Sequence, residues 1–281
     1  VRSPPESVAA PVQLSLLQRL TAPDYRPPVL PAVAVRLIAL SRRSKVSTRE
    51  IAELIEQDPV IALDMLRVSQ SAMMALSTPI RTVEEALVRL GIRRSTELFV
   101  QAALRSRLFR CSGYEAILER LRKHSVASAE LARWLCDVLC IEHDGAYLVG
   151  LLHDVGIAAC ILAIAGPARY PKPPSFESAW PDIRAHRERF ALHLAVHWQL
   201  PKELRSALTL HLGFENATSC DPRSAVTILA ERLAIAAGFG FADELTEGAS
   251  ERARECLGLS TANIESLATQ GVEIARRATQ P

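Results

Sequence analysis

Residues 145–164 constrain this chain more than any other stretch. They form a nearly continuous apolar run, broken only by the adjacent His153 and Asp154 in Gly150-Leu151-Leu152-His153-Asp154-Val155-Gly156. So apolar a segment must be wrapped by other elements. An imidazole beside a carboxylate is then costly to bury unless something satisfies both. A divalent metal does this, because it accepts both groups and offsets their desolvation. His124, on the preceding helix, offers a further imidazole.

The remaining sequence is written for helices. Ala, Leu, Arg and Glu dominate, only 5% of residues are aromatic, and no alternation of period two persists; straight-chain residues lose little rotamer freedom in a helix. The 281 residues, 49% hydrophobic and 23% charged, are enough to bury a real core. An all-α fold is expected. A net charge of +2 and a pI near 8.3 are too mild to demand a polyanion. The pairs Arg42-Arg43, Arg93-Arg94 and Arg276-Arg277 are scattered without interleaved aromatics, so they read as solvated helix faces and not as a nucleic-acid groove. The six cysteines contain no CxxC pair, and several sit in apolar helical runs. They read as reduced thiols of a cytoplasmic protein rather than a disulfide framework. No signal-peptide pattern opens the chain and charge interrupts the apolar stretches, so no membrane is expected.

Residues 1–29 are Pro-rich, with a helical patch near Leu14 to Leu20, and read as a tether or capping arm. Five short amphipathic helices are expected over 30–110. Ser47 with Glu50 and Thr82 with Glu85 form capping boxes; Asp58-Pro59 starts a third helix, and Gly91 stops the fourth. Longer helices are expected at 114–141, 145–164, 182–199, 201–212 and 222–238. A loop carrying five prolines spans Gly166 to Pro181, and one or two final helices end near Arg277. The division is an arm (1–29), an N-terminal five-helix subdomain (30–110), a second helical subdomain (111–240) and a C-terminal extension (241–281).

Two lesser constellations read as ordinary structure. His186, His193 and His197 fall on one helix stripe, and the last two have the i, i+4 spacing that can bind Zn. The residues between them lack the Glu of a zinc protease, so a polar stripe facing solvent or the Pro-rich loop is expected. Cys136, Cys140 and His143 read as core packing rather than a metal clip.

The motifs resemble one family. Leu30-Pro31-Ala32-Val33, Asp58-Pro59 followed by Leu63 and Leu66-Arg67-Val68, and Ala86-Leu87 with Leu90-Gly91 resemble the N-terminal half of HDOD domains. His124-Ser125-Val126-Ala127, the Gly150–Gly156 segment, Trp198-Gln199-Leu200-Pro201 and Leu229-Ala230-Glu231-Arg232-Leu233-Ala234 resemble the C-terminal half. The resemblance implies two packed helical subdomains, the second a bundle like that of HD phosphohydrolases. It implies a non-catalytic output or scaffold module of bacterial signalling that works through protein partners. A chain that begins at Val1 leaves room for an upstream regulatory domain.

Relatives that hydrolyse phosphoesters place His, then His-Asp, then a later Asp around a metal-bound water. Here His124, His153 and Asp154 match, while Glu231 stands where that pattern has Asp. The HD-GYP class carries a Lys where this chain has Ile157. Its second-metal histidines survive only as His186 beside Arg187 and as His211 before Leu212, and its GYP segment is absent. No catalytic or cofactor-binding residue is therefore expected. His124, His153, Asp154 and Glu231 are expected to be a vestigial cluster bonded between helices. The alternative is a mononuclear phosphohydrolase or nucleotide-binding sensor holding one Mn, Fe or Zn.

Overall fold

The computed structural model describes residues 16–20, 22–23, 25–41, 43, 46–70, 78–142, 145–165, 174–216, 220–241 and 247–280. Every regular element among them is helical. The N-terminal helices begin where their caps are. In α1 (Leu16–Leu20) the Leu16 N–H donates to the Asp182 carboxylate at 3.1 Å. Pro31 precedes α2 (Ala32–Leu40). Ser47 accepts the Arg49 N–H at the start of α3 (Thr48–Ile55), and Asp58 accepts the Ile61 N–H at the start of α4 (Pro59–Ser69). At α5 (Val83–Arg107) Thr82 accepts the Glu85 N–H, while the Glu85 carboxylate accepts from Arg81, one residue before the cap. Two helical limbs abut within α5 across Gly91, whose φ of 80° favours glycine, so the stop expected there is a kink.

The long helices follow. α6 (Glu115–Leu139) ends on Cys140 in the left-handed region. The single helix expected over 145–164 is two, α7 (Ala146–Leu152) and α8 (Val155–Ala165), divided at His153-Asp154 where the His153 ring bonds the Gly150 carbonyl. By length and composition Ala146–Ala165 could cross a membrane, contrary to the expectation that charge would prevent it; 89% of it is buried inside this protein.

A larger correction concerns α9 (Phe176–His197), which starts six residues before the expected 182 and takes in Pro181. Ser175 caps it, and Ala179 and Ile183 bury its first turns. The bond that Pro181 cannot donate is lost near a solvated end, beside exposed Glu177, where it costs least. Most of the expected loop, 166–173, lies outside the described residues.

α10 (Lys202–Leu210) continues as a 3₁₀ turn from His211 to Asn216. α11 (Pro222–Ala234) runs into a π turn from Ile235 to Phe239. α12 (Glu247–Cys256) and α13 (Thr261–Thr279) close the chain. Cys220 and Cys256 are joined as a disulfide, which the reading of all six cysteines as reduced thiols missed. They are 36 residues apart in sequence, and only the packing of α12 on α11 brings them together.

The two helical subdomains share one hydrophobic core running from Leu16 to Leu208, and a second core joins α6, α11 and α13. A buried ionic group bridges α5 to α6 and α7. Arg94 contacts Glu97 at 3.1 Å and Glu130, lies 4.9 Å from the Tyr147 ring centroid, and Tyr147 donates to Gln101 at 2.6 Å. Helix α1 packs against α8 and α9. Tyr25 meets Phe190 edge-on at 6.0 Å, and the Trp198 indole donates to the Pro28 carbonyl at 2.9 Å.

Candidate functional site

Two glycines let the helices close around His153 and Asp154. A Cβ at Gly150 would lie 2.9 Å from the Ala129 Cα, so this position admits the close approach of α7 to α6. A Cβ at Gly156 would lie 2.0 Å from the Arg187 carbonyl oxygen, so α8 and α9 touch backbone to backbone there. That contact brings the Arg187 guanidinium to 3.8 Å from Asp154 Oδ1.

All four residues expected from the sequence converge. His124 projects from the middle of α6, His153 and Asp154 stand at the junction of α7 and α8, and Glu231 comes from α11; each is between 1% and 6% exposed. The two imidazoles approach through Nε2 atoms 3.0 Å apart, and Asp154 Oδ2 lies 3.5 Å from the first and 3.4 Å from the second. His124, His153 and Glu231 each offer a ligand atom within 4.8 Å of the others.

The hydrogen bonds fix the tautomers. His124 Nδ1 lies 2.8 Å from the Phe239 carbonyl and His153 Nδ1 lies 2.6 Å from the Gly150 carbonyl. A carbonyl only accepts, so both Nδ1 atoms carry the proton, and in neutral rings both Nε2 atoms present lone pairs. Burial holds the His153 pKa below the ordinary range, against the pull of Asp154 and Glu231, so this ring is neutral. The His153 Nε2 lone pair, the His124 Nε2 and an Asp154 carboxylate oxygen thus face one point.

His211 completes the group. The sequence shows it only as the remnant of a histidine pair, and the 3₁₀ turn after α10 brings it to Glu231 of α11. Its Nε2 lies 2.7 Å from Glu231 Oε2, and its ring packs 5.0 Å from that of His153. Burial alone would push the His211 pKa down and the Glu231 pKa up. Each group's attraction to the other outweighs that cost, so His211 is raised and Glu231 is lowered to about 2. They form a buried imidazolium–carboxylate pair, in which the His211 Nδ1 has no hydrogen-bond partner.

The other sequence candidates lie elsewhere. His186 pairs with Asp182 at 3.3 Å, while His193 and His197 are exposed on α9, in keeping with a solvent-facing stripe. Cys136 is a core thiol pushed up to about 11 by burial, Cys140 is exposed, and His143 lies outside the described residues. Ile157, at the position of the HD-GYP lysine, is buried in the core.

Several solved structures share this fold. An HDOD domain protein with unknown function from Geobacter sulfurreducens superposes with a TM-score of 0.73 at 18% identity, covering 94% of this chain and 96% of the other. A candidate metal-dependent phosphohydrolase from Shewanella amazonensis SB2B gives 0.70 at 17% identity, with the same coverage of 94% and 96%. A candidate signal transduction protein from Marinobacter aquaeolei VT8 gives 0.64 at 20% identity, covering 90% of this chain and 58% of the other. No curated protein matches the chain. The model of the HDOD domain matches residues 28–213, the larger part of the sequence, and the chain therefore belongs to the HDOD domain family.

Proposed function

We propose that the chain is a non-catalytic output module of bacterial signal transduction, working through contacts with partner proteins. The observation that carries this reading is that the cluster is closed. The Phe239 carbonyl accepts from His124 Nδ1, Arg187 faces Asp154, His211 pairs with Glu231, and His124, His153, Asp154, His211 and Glu231 are each no more than 6% exposed. Phosphoester hydrolysis needs an open position for substrate and a cation where phosphate charge develops. The lysine that would supply such a cation is replaced by buried Ile157, and the Arg187 guanidinium beside the site faces Asp154. The name of the Marinobacter relative agrees with a signalling role. In this reading residues 1–29 are an arm, 30–110 and 111–240 the two HDOD subdomains, and 241–281 an extension.

A second reading rests on the facing Nε2 atoms. His124, His153 and Asp154 present donor atoms 3.0 to 3.5 Å apart, which match neighbouring ligands of an ion with bonds of about 2.0–2.2 Å, and Glu231 offers an oxygen within 4.8 Å of the two imidazole nitrogens. Neutral imidazole and carboxylate suit Mn, Fe or Zn. A bound ion would supply positive charge to these acceptors and acidify a coordinated water.

Elemental analysis of untagged protein purified without chelator, alongside hydrolysis assays, separates the readings. Bis(p-nitrophenyl) phosphate, nucleotides and cyclic dinucleotides should remain intact with added Mn, Fe or Zn. Turnover lost in a folded Asp154→Ala variant would overturn the non-catalytic reading. Stoichiometric metal that disappears in that variant without turnover would establish the second.

A further inference from the structure

The corner between α5 and α6 concentrates positive charge. Residues 105–123 hold six Lys and Arg against two Glu, a net +4 in a chain whose total is +2, so everything outside this corner sums to −2. Arg105 comes from the last turn of α5, Arg110 from the turn that follows, and Arg122 and Lys123 from α6. Arg105, Arg110 and Arg122 line an open recess of about 570 Å³ together with Phe109, Glu115 and Glu119.

One side chain within the recess shows which group it holds. Both arms of the Arg122 guanidinium donate to the Glu119 carboxylate, at 2.8 and 2.7 Å. This fork matches a carboxylate better than a point charge does. The Arg122 hydrogen bonds, with the charges of Arg122, Lys123 and Arg105, hold the Glu119 carboxyl below its ordinary range. Arg105 and Arg110 are exposed and form no ion pair among the described residues. Two further guanidinium forks are thus open to carboxylates from outside the chain.

Two features favour a peptide over a nucleic acid. Glu115 and Glu119 stand one turn apart in the same recess, where a continuous run of phosphates would meet them. A peptide can set its carboxylates on the arginines and its backbone N–H groups on the glutamates, as Glu115 accepts the Gly113 N–H at 3.0 Å. Phe109, the aromatic residue of the recess, is 8% exposed and offers too little face to stack a base. We propose that the recess between α5 and α6 docks an Asp- and Glu-rich segment of a partner protein, with Arg105 and Arg110 as its principal contacts. This rests on the reading of the chain as an output module and gives that module's partner a chemistry.

Fluorescence anisotropy of a labelled peptide rich in Asp and Glu, titrated with the full untagged chain, tests it. The peptide should bind, and its counterpart with Asn and Gln in place of the acids should not. Arg105→Glu together with Arg110→Glu should weaken binding by about tenfold. Both side chains are exposed, so this variant should keep the wild-type melting temperature. Arg43→Glu together with Arg276→Glu makes the same change of net charge at exposed positions elsewhere, and should bind as the wild type does. Equal loss in the two double variants, or no loss in the first, would overturn the proposal. So would a single-stranded oligonucleotide that binds more tightly than the peptide and is released by the same substitutions. Phosphoester turnover, measured separately, would count against the non-catalytic reading and leave the binding result standing.

Discussion

The contact at Gly156 gives a sharp test of how the site is assembled. In Gly156→Ala the new Cβ would lie 2.0 Å from the Arg187 carbonyl oxygen, 2.9 Å from its carbonyl carbon and 3.0 Å from the Ala191 nitrogen. All three are backbone atoms of α9, so no rotamer change relieves the clash. Ordinary contact begins at 3.4 Å. Helix α9 must therefore move back by more than an ångström, withdrawing Arg187 from Asp154 and loosening Phe190 and Ala191 in the core. Overpacking costs about 1–3 kcal/mol, and an unyielding backbone obstacle puts this site at about 3 kcal/mol. That corresponds to a fall of roughly 6–12 °C in melting temperature for a chain of this size. Gly91→Ala is the control. It has φ of 80° but nothing within 4 Å of its new Cβ, so only conformational strain of about 1 kcal/mol applies. Thermal unfolding followed by circular dichroism distinguishes the two. If Gly156→Ala melts like the wild type, or no lower than Gly91→Ala, the close approach of α8 and α9 is not what positions Arg187.

The His211–Glu231 pair predicts a pH window. The lowered Glu231 contributes stability that is full above its unfolded pKa of about 4.3 and lost as pH falls towards 2, while the raised His211 contributes stability that is full below about 6.5 and lost as pH rises through its folded value. The melting-temperature difference between wild type and Glu231→Gln should therefore be largest between about pH 4.3 and 6.5, and a difference that stays flat with pH would refute the pairing. In the ionic group between the subdomains, Arg94→Met should destabilise by about 3–5 kcal/mol, because it strands Glu97 and Glu130 in the core. Urea unfolding checks this, and a midpoint equal to wild type would show that Arg133, 3.0 Å from Glu130, suffices alone.

Local chemistry made much of the fold legible. Ser47, Asp58 and Thr82 cap the helices they were expected to start, because capping is decided within four residues. His124, His153, Asp154 and Glu231 could be read as one group because their spacing resembles an ordered family pattern. What the sequence concealed depends on distant partners. Pro181 marks a loop by its own preference, yet α9 absorbs it because Ser175 and the buried face of that helix outweigh one missing bond. Cys220 and Cys256 meet only after α12 packs on α11. His211 carries no local signal for its role, and its position comes from the turn that follows α10.

The cluster's persistence has a physical logic that does not require catalysis. A well-packed apolar replacement for buried charges is often as stable, so stability alone does not explain keeping them. Direction does. His124 ties α6 to the π turn through the Phe239 carbonyl, His153 ties its own imidazole to the end of α7, and Asp154 faces Arg187 of α9. His211 joins the 3₁₀ turn to α11 through Glu231. Apolar side chains in these places would permit several helix registers at similar energy, whereas hydrogen bonds with single partners specify one. In the output role proposed above, a module that presents a surface to partners needs its helices in one arrangement more than it needs an open pocket. The buried cluster meets that need through the single-partner bonds of His124, His153 and His211.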